Sequence, residues 1–175
     1  MNITIRLLEA QDIQLIYSSF AEIGWNRPIS QYERYLAEQD RGERVVLVAY
    51  SDENFTGYVT MIWQLGQPDY PPFAEKGIPE IQDLNVLPQF RRRGIASALM
   101  DEAEKQIFER SPIVGIGVGM HPGYGAAQRM YALRGYVPDA LGLFYKGQFV
   151  TPGQEVRVDD DLLLHLTKQR GRESF

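Results

Sequence analysis

Apolar and polar residues alternate at the start of the chain. Ile3, Ile5 and Leu7 stand around Thr4 and Arg6, which predicts an opening strand. From Ala10 to Ile23 the period changes. Ile13, Ile16, Tyr17 and Phe20 share one helical face, with Asp12 near the start. Gly24-Trp25-Asn26-Arg27-Pro28 breaks that pattern. A second helix is expected next, with Ser30 as its cap and Glu33 completing a capping box. Tyr32, Tyr35 and Leu36 lie on one side of it, and it should end near Arg41-Gly42. Val45 to Tyr50 is β-branched and apolar, Ser51 to Asn54 is turn chemistry, and Phe55 to Gln64 returns, so an antiparallel hairpin is predicted. Leu65 to Pro79 holds Pro68, Pro71, Pro72 and Pro79 and shows neither period. Such a stretch is expected as the wall or lid of a site, with Tyr70 and Phe73 facing a substrate.

The stretch Leu84 to Glu109 organises the chain. Leu84 and Val86 flank Asn85 as a strand, and Pro88, which has no N–H for a ladder, stops it. A basic turn follows, Arg91-Arg92-Arg93-Gly94. Then Ile95, Ala96, Leu99, Met100, Ala103 and Ile107 recur at helical spacing. The first N–H groups of a helix have no partner within it, and with the helix dipole they form an anion site. Gly94 carries no Cβ to keep a pyrophosphate away, and arginines add charge-assisted donors.

Ser111-Pro112 ends that helix, and Ile113 to Met120 reads as a strand. Its glycines, Gly115, Gly117 and Gly119, give G-x-G-x-G and not the G-x-G-x-x-G of a dinucleotide site. Glycine inside a strand marks close approach of another group. His121-Pro122-Gly123 turns into a helix from Tyr124 to Leu133, with Gly135 as its C-terminal cap. The remainder reads as β: Leu141 to Tyr145, a Lys146-Gly147 turn, and Asp161 to Leu166.

A chain of 175 residues with net charge −5 fits one domain and repels nucleic acid. The run Arg91 to Arg93 is too short to track a nucleic-acid backbone and suits one compact polyanion. The absence of cysteine excludes disulfides and thiolate catalysis, and two histidines do not make a usual zinc site, so no metal is expected. No apolar run is long enough for export or for a membrane span, which leaves the cytoplasm as the expected compartment.

Arg91-x-x-Gly94-x-Ala96 after a V-x-P strand end resembles motif A of the GNAT superfamily of acetyl-CoA-dependent N-acetyltransferases, written (Q/R)-x-x-G-x-(G/A). A second stretch resembles motif B, N-x-x-A-x-x-x-Y-x-x-x-G-(F/Y): Ala127, Tyr131, Gly135 and Tyr136 match. Tyr124 stands where the pattern has asparagine, a departure at a position that usually contacts CoA. The resemblance covers about Glu80 to Val137, and the predicted order β-α-α-β-β-β-α-β-α-β-β agrees with it. It implies an α/β fold, a mixed sheet with helices on both faces, as one domain over 1–169 with a frayed tail at 170–175. In the family, the strand ending at Val86 and that at Ile113 run parallel and splay, and the pantetheine arm of CoA enters the gap. The implied acetyl-CoA contacts are Leu84, Asn85, Val86, Arg91, Arg92, Arg93, Gly94, Ile95, Ala96, Tyr124, Ala127 and Tyr131.

Acyl transfer to an amine needs a base, an oxyanion donor and an acid for the departing thiolate. The resemblance makes Tyr131 the acid, or a group that positions the thioester; from helix position alone the residue reads rather as a packed tyrosine. Glu80 lies eleven residues before Arg91, where some family members place a base. Strand alternation puts Glu80, Gln82, Leu84 and Val86 on one face and Asp83 on the other. Asp83 and His121 are the reserve bases. A bulge near Leu84 to Val86 is implied as the source of free amides. Trp25, Tyr32, Tyr35, Trp63, Tyr70 and Phe73 are candidate pocket aromatics, with Trp25, Tyr70, Phe73 and His121 placed nearest a substrate. The expected activity is transfer from acetyl-CoA to a primary amine of a small molecule by a monomer or homodimer, with no nucleic acid and no membrane as partner. A protein or peptide amine, or a non-catalytic acyl-CoA sensor, are the alternatives.

Overall fold

The computed structural model describes residues 2–63 and 68–171. Eight strands and five α-helices occur among them, and the expected α/β order is borne out, with one short helix and one short strand added. Two compact units arise, Met1–Gly66 with Ile81–Gln106, and Gln67–Glu80 with Ile107–Phe175.

In the first unit, strands β1 (Ile3–Leu7), β2 (Arg44–Ser51), β3 (Asn54–Ile62) and β4 (Glu80–Val86) lie in that order. The predicted hairpin forms, with Val48 opposite Tyr58 and Arg44 opposite Ile62. Asp52 and Glu53 both take positive φ at its tip, as a two-residue turn matching strand twist requires. Helices α1 (Asp12–Ala21) and α2 (Ile29–Asp40) supply Ile16, Phe20, Tyr32 and Tyr35 to a core that also contains Val46, Val48 and Tyr58. The rings of Phe20 and Tyr32 meet Tyr58 edge-on at 5.7 and 5.9 Å. Gly42, at φ +73, ends α2: its N–H reaches Gln39 O, and Glu43 N reaches Glu38 O. The expected cap at Ser30 is corrected. Pro28, with φ −65 and ψ 143, sets the helix start before it, so Ser30 sits inside the first turn.

In the second unit the order is β5 (Ile113–Gly119), β8 (Leu162–Gln169), β6 (Val137–Tyr145) and β7 (Gln148–Phe149), all antiparallel neighbours. β6 is irregular between Pro138 and Leu143, where Ala140 and Gly142 hold φ of 70 and 86. The proline-rich stretch is not wholly irregular. Pro71–Glu75 forms the short helix α3, its prolines in a first turn where a missing N–H costs nothing. Tyr70 and Phe73 are 1% and 2% exposed and pack with Phe144, which corrects their expected place facing a substrate. The apolar payload of two aromatic rings is satisfied in the core.

Helix α5 (Gly125–Leu133) ends as expected at Gly135, with Gly135 N on Ala132 O and Tyr136 N on Tyr131 O. Helix α4 (Ile95–Arg110) buries Ile95, Leu99, Met100, Ala103 and Ile107 along one stripe. Arg170 N is tied to Pro112 O, and the rest of the expected frayed tail, from 172, lies outside the described residues. No helix among the described residues is long and apolar enough to cross a membrane.

Candidate active site

The basic turn belongs to the first unit. Pro88–Phe90 forms a 3₁₀ turn after β4, and the chain then takes positive φ at Arg92 (58°) and Gly94 (81°) before entering α4. The first hydrogen bond of α4 runs from Ala98 N to Gly94 O, which leaves the earlier amides, Ile95 and Ala96 among them, as free donors. A Cβ built on Gly94 meets nothing within 4 Å, so the space before this backbone is open. Arg91 Nε donates to Val86 O at 3.2 Å, which anchors its guanidinium to the strand end. Arg93 lies over Phe90, and Arg91, Arg92 and Arg93 are all exposed. The residues present therefore suit a diphosphate: free amides at a helix start, three cations and no side chain in the way.

Upstream on β4, Asp83 holds φ +50 in mid-strand, and the regular alternation of side chains is interrupted there. Asn85 Nδ2 donates to Asp83 O at 3.1 Å. β3 closes in just beyond: a Cβ on Gly57 would lie 3.0 Å from Val86 Cα and closer still to Asn85 O. The Asp83 carboxylate accepts a short hydrogen bond from Tyr35 on α2. Desolvation opposes the charge of Arg27, but Asp83 and the hydroxyls of Tyr58, Tyr35 and Tyr32 outweigh it and raise its pKa. Sequence reasoning had Asp83 and Tyr35 as separate candidates. It missed Arg27 and Arg44; only Arg44 left a signal, a charged residue at the start of an apolar strand run, where it is buried. Trp25 is 41% exposed and touches Phe20 edge-on at 5.5 Å.

In the second unit, Tyr131 is 5% exposed on α5. Burial, and then the neighbouring Tyr124, push its pKa well up, so the phenol stays protonated. Its ring contacts Tyr136 at 5.8 Å, and its hydroxyl donates to no acceptor among the described residues. The Tyr124 ring lies over β5, where a Cβ on Gly119 would sit 2.8 Å from Cγ and nearer to two other ring atoms. This is the close approach that the strand glycines implied. Ala127 is half-buried on α5. Glu80, 8% exposed, begins β4; burial, then Asp139 and least of all Glu80, raise the pKa of Tyr70. His121, expected as a reserve base or substrate contact, is held at the turn that leads into α5. Its Nδ1 accepts from Gly123 N and its Nε2 meets Asp160 at 2.8 Å, so both ring nitrogens are occupied in shaping the turn. No group of three His, Cys, Asp or Glu able to hold a metal occurs among the described residues.

A family model described as the acetyltransferase (GNAT) family matches residues 10–136. Among solved structures, ribosomal-protein-alanine N-acetyltransferase from Brucella melitensis is 18% identical with a TM-score of 0.66, over 95% of this chain and 99% of that one. Spermidine/spermine N-acetyltransferase SpeG from Vibrio cholerae is 16% identical with a TM-score of 0.62, over 95% and 92%. Salmonella typhimurium yncA, solved with its cofactor acetyl-CoA, is 19% identical with a TM-score of 0.62, over 99% and 96%. At these identities the likeness is one of fold. No curated protein matches the sequence.

Proposed function

Because the chain belongs to the acetyltransferase (GNAT) family, we propose that it is an N-acetyltransferase that moves the acetyl group of acetyl-CoA directly to a primary amine, most simply that of a small molecule. The observation that carries this reading is Tyr131: a buried, protonated phenol with no protein acceptor for its hydrogen. A donor held in reserve suits a group that forms only during reaction, here the departing thiolate.

Each remaining role falls to a named residue. The amides from Gly94 to Ala96 and the Arg91–Arg93 side chains hold the diphosphate of CoA. Glu80 removes the amine proton, directly or through water. The amine nitrogen attacks the thioester carbonyl, the C–S bond breaks, and Tyr131 supplies the proton that the sulfur takes. The neighbours named for their acceptors take a polyamine and a protein alanine. Both are amines, and the net charge of −5 favours cationic acceptors over anionic ones.

The test is thiol release from acetyl-CoA with a panel of amines, followed by mass analysis of the acceptor. Release that depends on the amine, with acetylated product, is the expected result. A protein that binds acetyl-CoA and releases no thiol with any amine is a sensor, and this reading then fails.

A further inference from the structure

We propose that Tyr35 is a positioning residue that fixes the Asp83 carboxylate as the anchor for the positive charge of the acceptor. This rests on the amine-transfer reading above and names the chemistry by which the acceptor is held.

Asp83 has φ +50 within a strand, a conformation that an L-residue adopts there only when its surroundings impose it. Aspartate is among the few side chains that tolerate the left-handed region. Its position is then set by one bond, from the Tyr35 hydroxyl to Oδ2. The direction of that bond is fixed as well. Gln31 Nε2 donates to the Tyr35 oxygen at 3.0 Å, so the oxygen accepts from Gln31 and its own hydrogen goes to Asp83.

Tyr35 is in turn immobile. It is 3% exposed, and the Arg44 guanidinium lies 4.2 Å from its ring centre. Arg44 is held by Glu38 at 2.5 Å through Nε and by Thr60 at 2.7 Å through its other nitrogen. A buried ion pair adds little net stability, since desolvation offsets its Coulomb gain; its attested use is to specify geometry. Here it holds the face of one tyrosine, whose hydroxyl holds one carboxylate.

The carboxylate is not used up. Its second oxygen, Oδ1, accepts no hydrogen bond from the described residues, and Asp83 is only half-buried. The groups that face it are Arg27 from the connection between α1 and α2, Tyr32 and Tyr35 from α2, and Tyr58 from β3. Tyr32 and Tyr58 meet edge-on, with ring centres 5.9 Å apart. Arg27 lies in an exposed loop and forms no ion pair with Asp83. An ammonium group therefore finds a fixed carboxylate with a free oxygen, beside the hydroxyls of Tyr32, Tyr35 and Tyr58.

The test compares wild type, Tyr35→Phe, Asp83→Asn and the double variant. Asparagine keeps the tolerance for positive φ and removes the charge. Acceptors are a cationic alkyl monoamine, a diamine and an uncharged arylamine. Tyr35→Phe is expected to raise KM for the cationic amines about tenfold, the scale of one hydrogen bond to a charged group. Turnover number, KM for acetyl-CoA and KM for the arylamine should stay within about twofold. Asp83→Asn should have at least the same effect, and the double variant should be no worse than Asp83→Asn, because both act through one carboxylate. If Tyr35→Phe does not fold, Gln31→Leu, which frees the direction of the hydroxyl, should give a smaller rise of the same kind. An unchanged KM for cationic amines in Asp83→Asn, equal losses with the arylamine, or multiplying effects would overturn the proposal and leave the transferase reading standing. If wild type transfers to no amine, that reading fails by itself. Calorimetric titration of the same amines then decides: binding weakened in both single variants supports the anchor, and equal or absent binding overturns it.

Discussion

The ring of Phe73 lies against the α-carbon of Gly115, so that a methyl group built there would stand 2.6 Å from two ring atoms and closer to a third. Phe73 cannot withdraw, because Tyr70, His165 and Phe144 surround it. Gly115→Ala is therefore expected to lose about 1–3 kcal/mol of stability from overpacking. Urea unfolding measures this, and Phe73→Leu in the same protein should recover part of the loss. An alanine variant as stable as wild type would show that the ring moves freely.

Gly94 requires glycine for a different reason. Nothing within 4 Å would obstruct a Cβ, but its φ of +81 disfavours any side chain. Gly94→Ala should cost about 1–2 kcal/mol in the absence of ligand. Gly94→Glu adds a negative charge in the open space before the amides. Acetyl-CoA should raise the Tm of wild type and leave that of Gly94→Glu unchanged. An undiminished shift in the glutamate variant would remove the diphosphate role from this loop.

His165 predicts a pH dependence. It stacks on Tyr70 with ring centres 3.4 Å apart, is 2% exposed, and its Nδ1 has no hydrogen-bond partner. Burial lowers its pKa to about 4, against a smaller upward pull from Asp139. The native imidazole is thus neutral where the unfolded one, near 6.5, takes up a proton. Stability is full above about pH 6.5 and falls as the pH drops toward 4, by about 2 kcal/mol at pH 5. The urea midpoint of wild type should fall between pH 7 and 5 more than that of His165→Phe, which keeps the stack and removes the titration. Equal falls would assign the acid sensitivity to other groups.

What the sequence displayed depends on how far away the cause lies. The alternation of β1, the hairpin of β2 and β3, the stripe of α4 and the glycine end of α5 arise from residues a few positions apart, and each was legible. The kink at Asp83 is tied to Tyr35, 48 residues away, so alternation alone placed the carboxylate without its partner. The prolines of 68–79 read as breakers, yet Pro71 and Pro72 occupy the one turn of a helix that accepts them. Tyr70 and Phe73 looked like site aromatics because the segment around them had no period. Their burial depends on His165 and Phe144, far along the chain. His121 had the right intrinsic chemistry for a base, but Asp160 and the Gly123 amide occupy its nitrogens, and no local pattern foretold that.

Tyr131 allows chemistry to be separated from packing more cleanly than any other residue of the site. Tyr131→Phe keeps the ring, its contact with Tyr136 and nearly all of its volume. No protein hydrogen bond is lost, since the hydroxyl makes none among the described residues, so stability should change by less than about 1 kcal/mol. If the hydroxyl protonates the departing thiolate, turnover should fall roughly a hundredfold or more, the usual scale for a lost general acid. Acetyl-CoA affinity should hardly change, because the proposed diphosphate site is the Arg91–Gly94 turn and the start of α4. Arylthiol acetyl donors give the sharper measurement. Their thiolates depart without a proton, so the variant should recover on them relative to acetyl-CoA where the chemical step limits both rates. Near-normal turnover with acetyl-CoA, or an equal loss with both donors, would make Tyr131 a packing residue. The proton would then have to come from Tyr124 or from water.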